Sequence, residues 1–367
     1  MAVREPDHAG SWYSANGPEL TQQLDTWLSK PPSELPLPGS RVVISPHAGF
    51  AYSGPAAAYA YKALDLSQAK RIFILHPSHH HHLSTAALPV VQGYLTPLSS
   101  DPLPLDLDLI RKLSTMTATT SQNRQIKFNT MSKDVDEAEH SAEMQLPYIH
   151  RLLQKLYPDQ PTSTYPPLVP IMVGGTSPAT EKALGQLLAP YIADPTNAFV
   201  ISSDFCHWGS RFGYTYYVPT SPSPAVDPGS LPNGLSNPSR DGQLHSQSSV
   251  SQGISLRSSK DVPSRGPKIH ESIAHVDRAC MCAIATGSHD AFLDILQGTG
   301  NTVCGRHPIG VFMAGLEEVE RKSGVGSNET EMKRRFRFLR YERSSDVTSI
   351  RDSSVSYVSA FAVLSLL

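Results

Sequence analysis

Apolar residues in this chain follow two kinds of pattern. Short unbroken runs occur at RVVISPH (41–47), RIFILHPSH (71–79), LVPIMVGG (168–175) and AFVISSDF (198–205). Runs without polar alternation fit strands covered on both faces, as in a parallel sheet. Between and around them, helix-like spacing predicts helices at 18–29, 54–64, 137–156 and 178–193. Alternating strands and helices predict an α/β fold, a single layered domain with a central, mostly parallel sheet flanked by helices. No internal repeat is evident.

One stretch breaks the pattern. Residues 219–268 are rich in Ser, Pro, Gly and Asn, with almost no aromatic residues. Such a segment cannot offset its ordering entropy, so it is expected as a disordered Ser/Pro-rich insertion within one domain spanning 1–367. Helical spacing resumes at IHESIAHVDRACMCAIATG (269–287), with Gly287 near its end. The tail YVSAFAVLSLL (357–367) is about half the length needed to span a bilayer. It reads as a buried terminal strand, and no membrane span is expected.

Composition narrows the function classes. The 367 residues are 39% hydrophobic and 17% charged, with a formal net charge of −2. That balance, without a basic stripe, argues against nucleic acid or anionic lipid as a partner. The opening MAVREPDHAGSWY lacks the apolar centre of a signal peptide. Four cysteines, Cys206, Cys280, Cys282 and Cys304, are few for this length and fit free thiols in the cytoplasm.

Candidate chemistry gathers at the strand ends, where open α/β sheets bind ligands. VVISPHAG delivers His47, IFILHPSHH delivers His79 or His80, and VISSDFCHWG delivers Asp204, Cys206 and His207. A further run, NTVCGRHPIG, offers Cys304 and His307. Imidazole, carboxylate and thiolate converging there form the donor set of a transition-metal site. At most two of the four adjacent histidines 79–82 can face one point, so His81 and His82 read as solvated loop residues. His76 reads as a strand cap. Cys280 and Cys282 cannot share a helix face and read as buried apolar thiols. EHSAEMQLPY (139–148) offers Glu139, His140 and Glu143, as an acid–base group, as a carboxylate supporting a ligand histidine, or else as a solvated helix start halted near Pro147. No Walker loop, dinucleotide fingerprint, nucleophile elbow or H-E-x-x-H pair is present.

Together, the blocks DHAGSWY (7–13), SPHAG (45–49), RIFILHPSHH (71–80), EHSAEMQLPY, VISSDFCHWG (200–209), TVCGRHPIG (302–310) and RDSSVSY (351–357) resemble the Memo family, named for mediating receptor-driven cell motility. The resemblance runs from residue 7 to the C-terminus, interrupted at 219–268. It implies a fold like the class III extradiol ring-cleaving dioxygenases. It also implies a metal held by His47, His79 and Cys304, with Asp204 and His207 lining the pocket and His207 as acid–base group. This chain departs from the family pattern at HPS, where the family usually reads Gly-Pro-Ser. A thiolate ligand favours iron or copper over magnesium or calcium, and it is oxidisable, so ring cleavage is not expected. The resemblance implies a cytoplasmic metal-binding protein, with the nucleus as a second location, and redox activity linked to signalling or motility. Two alternatives stay open: an extradiol-type dioxygenase acting on a catechol, and an adaptor binding phosphotyrosine peptides or another signalling protein without catalysis.

Overall fold

Nine strands form one sheet through the described residues, which in this computed structural model are 2–221, 250–323 and 336–364. In chain order they are β1 (Ser40–Ser45), β2 (Arg71–Pro77), β3 (Ala86–Pro89), β4 (Asn129–Met131), β5 (Leu168–Val173), β6 (Asn197–Ser202), β7 (His207–Trp208), β8 (Arg337–Arg343) and β9 (Ser354–Val363). Their spatial order is β7-β9-β1-β6-β2-β5-β3-β4, with β8 also paired to β9.

The four central strands, β1, β6, β2 and β5, pair in parallel. These are the four unbroken apolar runs, and they are buried almost throughout. Outside them β3 and β4 pair in parallel, but the other pairings do not. β9 joins β1 antiparallel, β7 and β8 join β9 antiparallel, and β3 joins β5 antiparallel. The reason is legible in β8, RFLRYER, whose partial exposure marks a strand at the sheet margin. Residues 357–363 of the tail lie in the buried strand β9, as expected, while 365–367 lie outside the described residues.

Helices cover the sheet: α1 (Gly17–Leu28), α2 (Phe50–Ala63), α3 (Leu107–Thr115), α4 (Lys133–Ala138), α5 (His140–Glu143), α6 (Leu146–Leu156), α7 (Pro178–Ala193), α8 (Ile269–Ala285), α9 (His289–Thr299) and α10 (Arg306–Ser323). α1 starts where Asn16 caps the Glu19 N–H, and it buries Leu20, Leu24 and Leu28 along one face. α2 begins four residues before the expected position and runs through Pro55. Gly54 there is not a helix start. A Cβ on it would lie 2.6 Å from the Trp27 ring, so it lets α1 and α2 close together. The expected helix over 137–156 is three pieces, broken at Glu139 and again before Leu146.

Of the segment expected as an insertion, residues 222–249 lie outside the described residues. Residues 250–268 pack on the domain: Val250 and Leu256 are buried, and Ile254–Ser255 pairs with Tyr216–Tyr217. Cys280 is buried as expected, but Cys282 is partly exposed, because two positions along a helix turn it away from the core. Among the described residues, no helix is long and apolar enough to cross a membrane.

The N-terminal segment is fastened to the sheet's carboxyl edge by a fully buried Arg4. Its Nε lies 3.1 Å from Asp136 Oδ1, and its Nη1 lies 2.7 Å from Glu143 Oε2. Nη2 donates to the carbonyls of Asp136 and Glu139 at 3.0 and 2.9 Å. Tyr94 donates to Asp136, and Tyr13 donates to Glu143. Removing one partner of a buried charge pair leaves the others uncompensated. Arg4→Ala is therefore expected to cost about 3–5 kcal/mol, read from urea unfolding. A loss no larger than that of an exposed arginine would contradict the network's role.

Candidate metal centre

At the carboxyl edge, β6 lies between β1 and β2, and each strand releases a polar residue into the same crevice. β1 leads to His47, β6 to Asp204, and β2 to His79. His47 is 2% exposed. Its Nδ1 is 2.7 Å from Ser202 Oγ. Ser202 spends its one hydroxyl proton on the Ser141 carbonyl at 2.8 Å and accepts from Gln145 Nε2 at 3.0 Å. Ser202 Oγ can thus only accept from His47, so His47 carries its proton on Nδ1 and keeps its lone pair on Nε2. A thiol faces that lone pair: Cys304 Sγ lies 3.0 Å from Nε2.

His79 is set the same way by a carboxylate. Glu139 accepts from His79 N at 2.6 Å, from His79 Nδ1 at 2.8 Å and from Ser141 N at 2.9 Å. Burial works to raise the Glu139 carboxyl, but the hydrogen bond from His79 and the nearby imidazoles outweigh it and hold the group well below the usual range. A carboxylate only accepts, so His79 donates from Nδ1 and its Nε2 is left as a ligand atom. The helix break at Glu139 makes this possible, since its extended backbone turns the side chain back toward β2.

His140 is the third imidazole. One donor atom from each of His47, His79 and His140 lies within 4.8 Å of the others. The His140 ring stacks on His79 at 4.5 Å between centroids and meets Trp12 at 4.4 Å with the two planes tilted by 35°. Its Nδ1 is buried, lies 3.5 Å from Glu139 Oε1, and finds no hydrogen-bond partner among the described residues. Burial, helped by His79, lowers His140 to about 3, and burial with His79 and His140 also lowers His47, so both are neutral and ready to ligate.

Asp204 and Cys304 meet on the other side of His47. Asp204 Oδ1 accepts from His47 N at 2.9 Å, and the Asp204 N–H points at Cys304 Sγ from 3.1 Å. Burial raises the Asp204 carboxyl against the pull of His207. Burial, then Asp204, raises the Cys304 thiol well above its ordinary value. His207 donates from Nδ1 to the Phe205 carbonyl at 2.8 Å, leaving Nε2 as its open nitrogen.

The remaining sequence candidates go elsewhere. Cys206 is fully buried, in a cluster with Trp208, Tyr217 and Leu256. His307 turns from Cys304 to Glu181, at 2.7 Å, because Glu181 also anchors the buried His289. His76 is no surface cap. It is buried, donates from Nδ1 to Ser141 Oγ at 3.0 Å, and is lowered by burial to about 4. His80, His81 and His82 are exposed. Glu139 and Glu143 are both buried supports rather than a solvated helix start. The donor that sequence reasoning missed is His140, whose one signal was its place beside Glu139.

Imidazoles with their far nitrogens fixed and backed by a buried carboxylate suit a transition-metal ion; the Cys304 thiol lies beside His47 and is not one of the three grouped donors. The buried, unbonded Nδ1 of His140 fits the same purpose, since an orphaned buried nitrogen otherwise costs stability.

A family model described as Memo-like protein matches residues 4–361. The chain is 39% identical to Protein MEMO1 of Rattus norvegicus over 358 residues, covering 97% of this chain and 96% of that protein. It is 38% identical to Protein MEMO1 of Homo sapiens over the same length and coverage. A MEMO1 family protein of Schizosaccharomyces pombe is 38% identical over 362 residues, 99% of each chain.

The fixed tautomers can be read directly. Long-range proton–nitrogen spectra are expected to show His47, His79 and His207 protonated on Nδ1, and Ser202→Ala should let His47 populate the other tautomer. A wild-type His47 protonated on Nε2 would contradict the hydrogen-bond assignment.

Proposed function

Since this chain belongs to the Memo family, we propose that it binds a redox-active transition metal, iron or copper, through His47, His79 and Cys304, and couples that metal to signalling in the cytoplasm. The observation that carries the reading is the pair of imidazoles locked to present Nε2, one of them 3.0 Å from a thiol. Two imidazoles and one thiolate leave an open position for a small molecule. Such an ion supplies one-electron exchange at that position.

The residues around it have separate duties. Ser202 and Glu139 orient His47 and His79. The Asp204 N–H steadies the Cys304 sulfur, and its carboxyl oxygen accepts from the His47 backbone. His207, its Nδ1 occupied, offers Nε2 as the proton-accepting group. Four cysteines without disulfides support a reducing compartment. A second donor set is favoured by the grouping of His140 with His47 and His79.

Competition titrations with copper(I) and iron(II), on protein without an affinity tag, test the assignment. His79→Ala and Cys304→Ser are each expected to abolish tight binding, while the double change His81→Ala/His82→Ala spares it. Glu139→Gln is expected to weaken binding by about 10–100-fold. Because burial raises the Cys304 thiol, uptake must release its proton, so affinity rises with pH. Retained affinity in Cys304→Ser with loss in His140→Ala would assign the third position to His140. Loss only in the His81/His82 double change would refute the site.

A further inference from the structure

Cys304 poses a chemical problem for the function proposed above, on which this inference rests. A sulfur beside a redox-active metal is oxidised step by step, and beyond the sulfenic acid the damage is not readily reversed. The surroundings of His140 offer a way out. Three aromatic rings lie in sequence, Trp12 on His140 at 4.4 Å and His140 on His79 at 4.5 Å between centroids. The inner end touches the metal cluster, since His79 and His140 each meet His47 edge-on at 5.2 and 5.4 Å. The outer end reaches solvent, because Trp12 is 37% exposed.

Trp12 is held there by design of the N-terminal segment. Glu143, itself fully buried, takes the Arg4 guanidinium, the His8 backbone and ring, and the Tyr13 hydroxyl. Those bonds fix both sides of residue 12. The His8 ring meets the Trp12 indole edge-on at 5.6 Å. The other tryptophans sit elsewhere: Trp27 packs on Gly54 and Phe50, and Trp208 is buried with its N–H on the Tyr216 carbonyl. Indole gives up an electron more readily than any other ring in this series.

We propose that the Trp12–His140–His79 series of rings is an exit path for oxidising equivalents, carrying them from the metal site to the surface and sparing Cys304. The oxidant is a peroxide. Trp12 gives one electron per pass, which travels inward through His140 and His79, and loses its ring N–H proton to water. After each pass a one-electron reductant of the ascorbate class returns an electron, and with a proton restores the indole at the surface. Two passes supply the two electrons that, with two protons, convert one hydrogen peroxide to two waters.

The test exposes copper-loaded full-length protein to hydrogen peroxide and follows oxidation of the Cys304 peptide by mass spectrometry. Trp12→Phe, which keeps the stacking face but is much harder to oxidise, is expected to oxidise at Cys304 several-fold faster than wild type at unchanged copper affinity. Trp12→Tyr, oxidisable again, is expected to recover most of the protection. A nitroso spin trap should mark Trp12 in the loaded wild type, and the difference between variants should vanish without copper. Equal Cys304 oxidation in wild type and Trp12→Phe, both copper-bound, would overturn the exit path while leaving the metal assignment intact. A wild type that takes up no copper or iron would overturn the metal assignment, and the path with it.

Discussion

A hydroxyl group has one proton to give, and the candidate site depends on where Ser202 gives it. That proton goes to the Ser141 carbonyl, and both remaining positions on the oxygen are filled by N–H groups of His47 and Gln145. Gln145 is itself fixed, donating to the Pro46 carbonyl and accepting from Tyr61. The end of β6, the loop after β1, and the short helices α5 and α6 are thereby tied to one oxygen atom. Protonation of His47 on Nδ1 is the consequence, and an available Nε2 beside Cys304 follows from it. The chemistry of the crevice is therefore built into the packing of the sheet's central strands.

Carboxylates extend the same logic outward. Glu139 orients His79 and caps the turn carrying His140, while Glu143 ties down the N-terminal segment that carries His8, Trp12 and Tyr13. Burying charge is expensive unless each lone pair finds a donor. Here Arg4 and a ring of N–H and O–H groups supply those donors. These buried acids are justified by what they position: the His79 imidazole in one case and the wall beside the three-histidine group in the other. Asp136 marks the limit of the arrangement, since burial raises it to about 6 despite Arg4 and Tyr94.

Much of this was legible in the sequence, and the failures are specific. The four central strands could be read because they are covered on both faces and so lack polar alternation. Their histidine-bearing ends could be read because α/β sheets bind at that edge. Gly54-Pro55 misled as a helix start because the glycine serves Trp27, a contact across 27 residues that no local pattern records. The region 137–156 looked like one helix because its apolar spacing continues through the break that Glu139 requires. The run NTVCGRHPIG offered Cys304 beside His307 without saying which residue it meets. The Cys304 contact with His47 spans 257 residues and was reachable only through the resemblance of the blocks around it. His140 gave no such signal, because it joins His47 and His79 only through the helix break at Glu139.

The most direct measurement is X-ray absorption at the metal edge of the untagged protein, purified without chelators and loaded with one equivalent of copper or iron. The account predicts a first shell containing imidazole nitrogens together with one sulfur. A shell of nitrogen and oxygen alone, with no sulfur, would contradict it.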